Sequence, residues 1–376
     1  RRGTGSMKWN VGEHELPMWV ADMDFETAPA VTKAIMDRAV QGIYGYTEVS
    51  EEWYLAYQNW WQDRHHFPIE KDWLIFCTGV VPAISSIVRK MTTVAEKIVV
   101  MTPCYNIFFN SIVNNGRNVL ESRLHYEDGV YSIDQEDLEE KLADPQTSML
   151  ILCNPHNPVG KIWDRETLER IGELCFKHHV LVLSDEIHCD ITRPGMEYIP
   201  FASVSEHCKN NSITCVAPTK TFNLAGLQIS NIFIPNEKLR KAFQTEIDKT
   251  GYDEPNALGI VACEAAYRAG EDWLDQLRAY LLQNLNFLRE YLQEKIPQIH
   301  LVEPEGTYLV WLDCSELGIT GKELDQFIVD KAGLWLDGGS MFGPSGAAFQ
   351  RVNIACPQAT LELALNKLKA AVDNLE

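Results

Sequence analysis

The sequence predicts an α/β fold whose larger part is a mainly parallel sheet covered by helices on both faces. The first observation is that short apolar runs alternate with amphipathic stretches through the middle of the chain. The second is that these runs are mostly apolar, as is typical of strands that are buried on both faces. The third is that polar motifs come directly after several runs, where ligands bind in sheets of this kind.

Five apolar runs predict the strands of this sheet. They are residues 73–77, 97–101, 148–153, 180–183 and 213–216. Between the third and fourth runs, residues 165–178 carry apolar side chains at helical spacing and predict a covering helix. Further along, residues 272–292 show a longer helical pattern, and a helix of that length can run from one domain into another.

The remainder of the chain predicts a smaller α/β domain. Residues 307–312 and 351–354 have the composition of strands. We expect the N-terminal segment to join this domain. The predicted boundaries are therefore 41–271 for the large domain, and 1–40 together with 272–376 for the small one.

The composition excludes several classes of partner. The chain has 376 residues, a formal net charge of -20 and a pI near 4.9, so its surface should repel nucleic acid and anionic membranes. No apolar run approaches the roughly 20 residues that span a bilayer, and the N-terminus has no signal-peptide pattern. We interpret the protein as cytoplasmic, and we expect native residues to precede Arg1 because no initiator Met is present.

The ten cysteines include no Cys-x-x-Cys pair and lie mostly in apolar runs. This pattern predicts reduced, packed thiols rather than disulfides or metal ligands. The histidines at 65–66 and 178–179 are adjacent in sequence, so their side chains point to different faces of a helix or strand. No metal site is predicted.

An amide, a carboxylate and an amine follow three of the apolar runs. Asn157 lies in an Asn-Pro-His-Asn-Pro motif, Asp185 follows the fourth run, and Lys220 follows the fifth. Together they suit pyridoxal phosphate: the amine can form a Schiff base with its aldehyde, the carboxylate can keep its ring nitrogen protonated, and the amide can bond its phenolic oxygen. The alternatives are an exposed lysine, a helix-capping Asp and a turn Asn.

These motifs carry a resemblance, which extends to the Gly-Thr-Gly-Ser-Met-Lys-Trp run at 3–9, residues 18–25 and the Gln-Arg-Val-Asn run at 350–353. The chain resembles fold-type I pyridoxal-phosphate enzymes of the class I/II aminotransferase superfamily. Within it, the chain is most similar to MalY/PatB-type cystathionine β-lyases, which include cystalysin-like carbon-sulfur lyases. The resemblance covers nearly the whole chain and implies a seven-stranded, mainly parallel sheet in the large domain.

The cofactor's phosphate needs hydrogen-bond donors at a strand end. Gly79, Val80 and Val81 follow the first apolar run and open a helix, which leaves backbone N–H groups free for an anion. Thr219 can add its hydroxyl group. These residues are the predicted phosphate-binding set.

The sequence departs from the aminotransferase pattern eight residues after Lys220. Many relatives place an arginine there on the phosphate, but this chain has Gln228. Tyr46 resembles the tyrosine that reaches the phosphate from the neighbouring subunit. The resemblance therefore implies a homodimer with active sites at the subunit interface.

Further residues are assigned around the ring and the substrate. Tyr105 follows a strand and should stack on the ring face, with a core tyrosine as the alternative. His188 stands where many relatives carry a tyrosine that contacts the phenolic oxygen. Arg351 matches the family's arginine for the substrate carboxylate, and its planar fork suits that group. The resemblance places Ala21 and Asn157 beside it.

The resemblance implies β-elimination from an amino acid such as cystathionine or cysteine. Lys220 would remove the α-proton, and the products would be a thiol (homocysteine or hydrogen sulfide), pyruvate and ammonia. A class I/II aminotransferase is the first alternative, since it uses the same residues. Gln228 and the motif at residues 19–25 favour the lyase. A further alternative is an additional regulatory role in which the surface binds another protein.

Overall fold

The computed structural model describes residues 1–251 and 254–375 and confirms the α/β fold class. Its strands are β1 (Leu16–Pro17), β2 (Leu74–Cys77), β3 (Lys97–Thr102), β4 (Asn118–Glu127), β5 (Val130–Ile133), β6 (Thr147–Cys153), β7 (Leu181–Asp185), β8 (Ser212–Val216), β9 (Ser230–Phe233), β10 (His300–Val302), β11 (Leu309–Asp313), β12 (Leu334–Trp335), β13 (Asp337–Gly338) and β14 (Phe349–Asn353). All five predicted runs of the large sheet form strands.

The α-helices alternate with these strands through most of the chain. They are α1 (Pro29–Val40), α2 (Glu51–His65), α3 (Val80–Met91), α4 (Asn106–Val113), α5 (Gln135–Leu142), α6 (Arg165–Lys177), α7 (Glu206–Asn210), α8 (Pro218–Thr221), α9 (Glu237–Thr250), α10 (Ala257–Ala269), α11 (Glu271–Lys295), α12 (Gly321–Asp330) and α13 (Gln358–Val372). The helices predicted over 165–178 and 272–292 correspond to α6 and α11.

The large sheet has the strand order β2-β9-β8-β7-β6-β3-β4-β5. Pairing is antiparallel where β9 meets β2 and β8, and where β5 meets β4, and it is parallel elsewhere. The sequence resemblance implied seven strands, and β5 adds an eighth at the edge. Asp128 and Gly129, both at positive φ, make a two-residue turn that folds β5 back on β4.

A smaller antiparallel sheet, in the order β10-β11-β14-β13, is formed by the C-terminal part of the chain. The N-terminal segment reaches this part through β1, which pairs in parallel with β12. It also reaches the large sheet's helices, since α1 packs against α10. The exact domain boundaries stay a prediction.

Buried apolar side chains fill both faces of the large sheet, and all ten cysteines are buried among them. Within the described ranges, no helix has the length and apolar composition that crossing a membrane requires. The polar groups that matter for function lie beyond the carboxyl ends of β2, β3, β6, β7 and β8. This edge of the sheet is where ligands bind in α/β folds.

Candidate active site

A cavity of about 260 Å³ lies at the carboxyl edge of the large sheet. Its walls include nearly all of the predicted site residues: Ala21, Gly79, Val80, Val81, Tyr105, Asn157, Asp185, His188, Thr219 and Lys220. Arg351 is connected to the cavity through its bond to Asn157. Tyr46 is 97% exposed and does not line the cavity of its own chain.

Lys220 reaches the cavity from α8, a single turn that follows β8 and begins with Pro218. Its Nζ atom donates a hydrogen bond to the Ala21 carbonyl oxygen at 2.8 Å. Burial, followed by the positive charge of Arg351, lowers the pKa of Lys220 to about 8. A usable fraction of the amine is therefore neutral, and hence nucleophilic, near neutral pH.

Asp185 is the last residue of β7 and is 4% exposed. Its carboxylate accepts one hydrogen bond, from the Ile187 N–H at 3.3 Å. Burial raises the pKa of Asp185 to about 7, although that bond and the charge of Lys220 oppose the shift. A buried acid with so little compensation suits a ligand that brings its own positive charge, such as a protonated ring nitrogen.

The opposite end of the cavity is built to take an anion. Gly79 precedes α3 at φ 152°, and a Cβ atom there would lie 3.2 Å from Pro82 Cδ, so glycine is required. The N–H groups of Val80 and Val81, in the first helical turn, have no acceptor within the helix. Gln228, in the left-handed region, lies on the same wall as Thr219. This end of the cavity therefore offers an anion hydrogen-bond donors that carry no charge.

Two ring-bearing side chains, Tyr105 and His188, also line the cavity. Tyr105 immediately precedes α4, and burial raises the pKa of its hydroxyl group. His188 packs its ring edge-on against Tyr308 at 6.1 Å. Burial, with the charges of Lys220 and Arg351, lowers the pKa of His188 to about 3, so its imidazole is neutral. Its Nδ1 atom is buried and has no hydrogen-bond partner in the described residues, which leaves it available to a ligand oxygen.

Arg351 lies on β14 and is almost wholly buried. Its guanidinium donates to Asn157 Oδ1 at 2.9 Å and to the Trp19 carbonyl oxygen at 3.3 Å, and it forms an ion pair with Asp337. Its Nε atom is buried without a hydrogen-bond partner in the described part of the chain. Asp337 could not be predicted from the sequence, because its position opposite Arg351 depends on the β13–β14 register.

Residues 18–25 run along the cavity, whose lining includes Ala21, and we call them the N-terminal strap. On one side Tyr308 donates to the Ala21 carbonyl oxygen at 3.1 Å, and Asn353 donates to the Val20 and Asp22 carbonyl oxygens at 2.7 and 2.6 Å. On the other side Asn223 donates to the carbonyl oxygens of Met23 and Phe25. The strap is therefore held by both parts of the chain.

Three of the side chains that bond the strap, Asn223, Tyr308 and Asn353, were not among the predicted site residues. Asn223 stands only three residues after Lys220, so its position in that motif was a usable signal. Asn353 closes the Gln-Arg-Val-Asn run at 350–353, which was likewise a usable signal, whereas Tyr308 lies in an apolar strand-like run and gave none. Their partners are carbonyl groups, which carry no side-chain signature.

The donors and acceptors of this cavity fit the predicted pyridoxal phosphate. Lys220 supplies an amine for the cofactor's aldehyde, and Asp185 supplies an anion for its protonated ring nitrogen. The first turn of α3 supplies N–H donors for its phosphate. The unpartnered His188 Nδ1 gives the phenolic oxygen a further contact. Lys220, Asp185, His188 and the first turn of α3 therefore each have a counterpart on the cofactor.

The chain was compared with known proteins. The profile for aminotransferase class I and II matches residues 14–368. Cystathionine beta-lyase PatB of Bacillus subtilis (strain 168) is 42% identical over 99% of this chain and 98% of its own. The crystal structure of cystalysin from Treponema denticola, which contains pyridoxal 5'-phosphate, superposes with a TM-score of 0.97 at 35% identity, covering 100% of this chain and 98% of that one.

A third relative is also named as a lyase. The PLP-bound C-S lyase from Staphylococcus hominis superposes with a TM-score of 0.93 at 34% identity. The superposition covers 99% of this chain and 96% of that one. Since the profile and these relatives span nearly its whole length, this chain belongs to the class I and II aminotransferase family.

Proposed function

We propose that the protein is a pyridoxal-5'-phosphate-dependent carbon-sulfur β-lyase. Its substrates are amino acids of the cystathionine and cysteine type, and its products are a thiol, pyruvate and ammonia. The observation that carries this proposal is the cavity itself: it presents an amine, a buried acid and an anion-binding helix start, on a chain that matches named carbon-sulfur lyases from end to end.

The residues divide the chemistry between them. When bound, pyridoxal 5'-phosphate supplies an electrophilic carbon for the substrate amine and a conjugated ring that stabilises negative charge at the α-carbon. Lys220, with its lowered pKa, accepts the α-proton. Asp185 holds the proton on the ring nitrogen, and the β-thiolate leaves with the electron pair of the carbon-sulfur bond. Water then converts the remaining enamine to pyruvate and ammonia.

Substrate orientation comes from Arg351 and the N-terminal strap. The guanidinium binds the α-carboxylate, and the nearby Asn157 side chain fixes the plane of the fork. The strap lies over the same region, with Ala21 on the cavity wall. A carboxylate held there turns the α-hydrogen toward Lys220, and the covering backbone excludes water from the reacting carbon.

One assay tests the proposed function against the aminotransferase alternative. Pyruvate release would be measured with L-cystathionine, L-cysteine and L-cystine, in parallel with amino-group transfer to 2-oxoglutarate. We expect pyruvate and the sulfur product in equal amounts (homocysteine from cystathionine, hydrogen sulfide from cysteine, a persulfide from cystine), with little amino-group transfer. Amino-group transfer that outpaces pyruvate release for all three substrates would contradict the lyase assignment.

Arg351→Ala should lower kcat/KM far more than it lowers cofactor affinity. Removing one member of a buried, hydrogen-bonded charge pair costs about 2–5 kcal/mol, or roughly 30-fold to several thousandfold. Arg351→Lys should recover only part of the loss, because an ammonium lacks the planar fork. Steady-state kinetics and cofactor titration would be run on both variants, with Arg289→Ala, far from the cavity, as the control. Weakened cofactor binding with normal kinetics after reconstitution would place Arg351 at the phosphate instead.

We also propose that the active unit is a homodimer. Apolar side chains are exposed along α1 and the segment that follows it: Met36, Val40, Ile43, Tyr44 and Tyr46. Contiguous exposed apolar surface of this kind is typical of protein interfaces. Tyr46 lies at its end, and the neutral phosphate end of the cavity, with Gln228 where relatives place an arginine, has room for a donor from a second subunit.

Tyr46→Phe should raise the dissociation constant for the cofactor several-fold and leave the fold intact, because it removes one phosphate donor. Tyr44→Phe is the matched control on the same segment. Mixing Tyr46→Phe with the inactive Lys220→Ala should restore tight cofactor binding at one site per hybrid dimer, since that site has a native Lys220 and receives Tyr46 from its partner. An active monomer, or hybrids no better than the parents, would contradict this arrangement.

A further inference from the structure

The residue that follows Lys220 in the chain turns away from the cavity into a buried polar network. Thr221 is fully buried, and its hydroxyl group donates to Asp190 Oδ2 at 2.8 Å. The other oxygen, Oδ1, accepts from Trp60 Nε1 at 2.9 Å and bonds His65 Nε2 at 2.8 Å. We call these four residues the Asp190 network. It ties the lysine-bearing turn α8 to helix α2.

The network also reaches the residue that follows Asp185. Glu186 is fully buried and accepts hydrogen bonds from Ser184 Oγ at 2.6 Å and from the Tyr198 hydroxyl group. The Tyr198 ring packs edge-on against His65 at 5.2 Å. Thr221 and Glu186, which directly follow Lys220 and Asp185, are therefore connected through Asp190, His65 and Tyr198.

Asp190 is the charged centre of this network. Burial would raise its pKa, but the hydrogen bonds from His65, Trp60 and Thr221 hold the pKa below its usual value. Its backbone is equally fixed, since the Ile191 N–H bonds the His188 carbonyl oxygen at 3.0 Å. The carboxylate is therefore ionised and rigid. It stands two residues after His188, which is on the cavity wall.

A metal ion is the obvious alternative for this cluster, because the ligand atoms of His65, Cys189 and Asp190 lie within 4.8 Å of one another. Both carboxylate oxygens are, however, already occupied by the three hydrogen bonds. The arrangement is that of a hydrogen-bonded anchor.

We propose that Asp190 is a positioning residue that fixes Lys220 relative to Asp185 and His188. Asp190 acts through the Thr221 hydroxyl group. This inference rests on the role of Lys220 in the proposed function. α8 is only one turn long, so little else in the helix resists its rotation. A base that must reach the α-hydrogen loses rate steeply when it is displaced, by about 100-fold for 1 Å.

The central variant of the test, Thr221→Val, replaces the hydroxyl group by a methyl group of similar size. Thr221→Val should lower kcat about tenfold or more, with little change in KM or cofactor affinity, and Thr221→Ser should restore most of the rate. Thr214→Val is the matched control: Thr214 is equally buried on the adjoining β8, and its hydroxyl group has no partner in the described residues. Asp190→Asn should resemble Thr221→Val, and the double variant should be no worse than the more affected single one.

Hydrogen exchange in the holoenzyme gives a readout that does not depend on turnover. The Phe222 N–H bonds the Pro218 carbonyl oxygen at 2.8 Å, and the Leu224 N–H bonds the Thr219 carbonyl oxygen at 2.9 Å. Both amides should exchange faster in Thr221→Val than in wild type or Thr214→Val. The proposal would be overturned if Thr221→Val matched the Thr214→Val control in both exchange rate and kcat. It would also be overturned if the losses of kcat were additive in the double variant, or if exchange became faster in Thr221→Val while kcat stayed unchanged.

The outcome can be separated from a failure of the proposed function. If the wild-type enzyme transaminates rather than eliminates, the same order of variants should appear in the transamination rate, because Lys220 moves the proton in either reaction. The positioning role would then stand while the lyase assignment fell.

Discussion

Replacing Lys220 by alanine is expected to abolish turnover. The change removes general acid-base catalysis, worth roughly 10²–10⁴-fold, and the covalent attachment of the cofactor as well, so the total loss should exceed about 10⁴-fold. The variant should also lose the visible absorbance that arises from the link between the lysine and the cofactor's aldehyde. Absorbance spectra and single-turnover rates of the purified protein would measure both effects.

Two companion experiments make this result specific. Lys220→Arg keeps the positive charge but supplies no neutral amine, so it should be equally inactive. Added methylamine should restore a small rate to Lys220→Ala, because a small amine fits the space the side chain leaves. Lys161→Ala, which breaks an ion pair to Glu305 outside the cavity, should behave as wild type. A Lys220→Ala enzyme with normal spectrum and rate would refute the assignment.

Asp185→Asn is expected to keep part of its cofactor but to lose most of its activity. A neutral amide cannot hold the proton on the ring nitrogen, and losing a charge-assisted hydrogen bond costs about 1.5–3 kcal/mol, or roughly tenfold to a hundredfold in rate. The measurement is kcat after saturation with cofactor. The control is Asp313→Asn. Asp313 is a buried acid at the end of β11 in the small sheet, and it accepts a hydrogen bond from Tyr126. Wild-type kcat in the Asp185 variant would mean that another group faces the nitrogen.

The same variant should stabilise the cofactor-free protein. The pKa of Asp185 is raised to about 7 in the folded protein, against about 3.9 in an unfolded chain. The folded state thus binds the proton more tightly, so the contribution of Asp185 to stability is complete below pH 4 and is lost as the pH rises through 7. Asp185→Asn cannot ionise, so the variant does not lose this stability at high pH. Its melting temperature should exceed that of wild type at pH 8 and by much less at pH 5; a gap independent of pH would contradict the burial argument.

Much of the fold could be predicted because the signals are local. A strand buried on both faces must be apolar along its whole length, so the runs that became β3, β6 and β8 are visible within single windows of sequence. The rule that ligands bind beyond the carboxyl ends of parallel strands then brought Asn157 and Asp185 to one edge, although the two are 28 positions apart. Sheet topology makes such residues neighbours in space.

The features that could not be predicted depend on strand register and on contacts between residues that are far apart in the sequence. Asp337 faces Arg351 only because β13 pairs with β14 in one particular alignment, and a shift by one residue would turn the side chain to the other face. Asp190 looks like one more polar residue after a strand, until α2 brings Trp60 to it from 130 positions away. The eighth strand, β5, was missed although the Asp-Gly turn before it is a recognisable hairpin signal.

The N-terminal strap has a consequence for how the chain folds. Its bonds to Asn223 and Asn353 span about 200 and 330 positions, so they are among the longest loops that the chain must close. Residues 18–25 therefore take their final place only after Asn353, about 330 positions later in the sequence, has folded. Contacts of such high order form slowly, and sheet and helices can be complete before them. We therefore expect cofactor capture to lag behind compaction during refolding, with the strap as the final segment to dock.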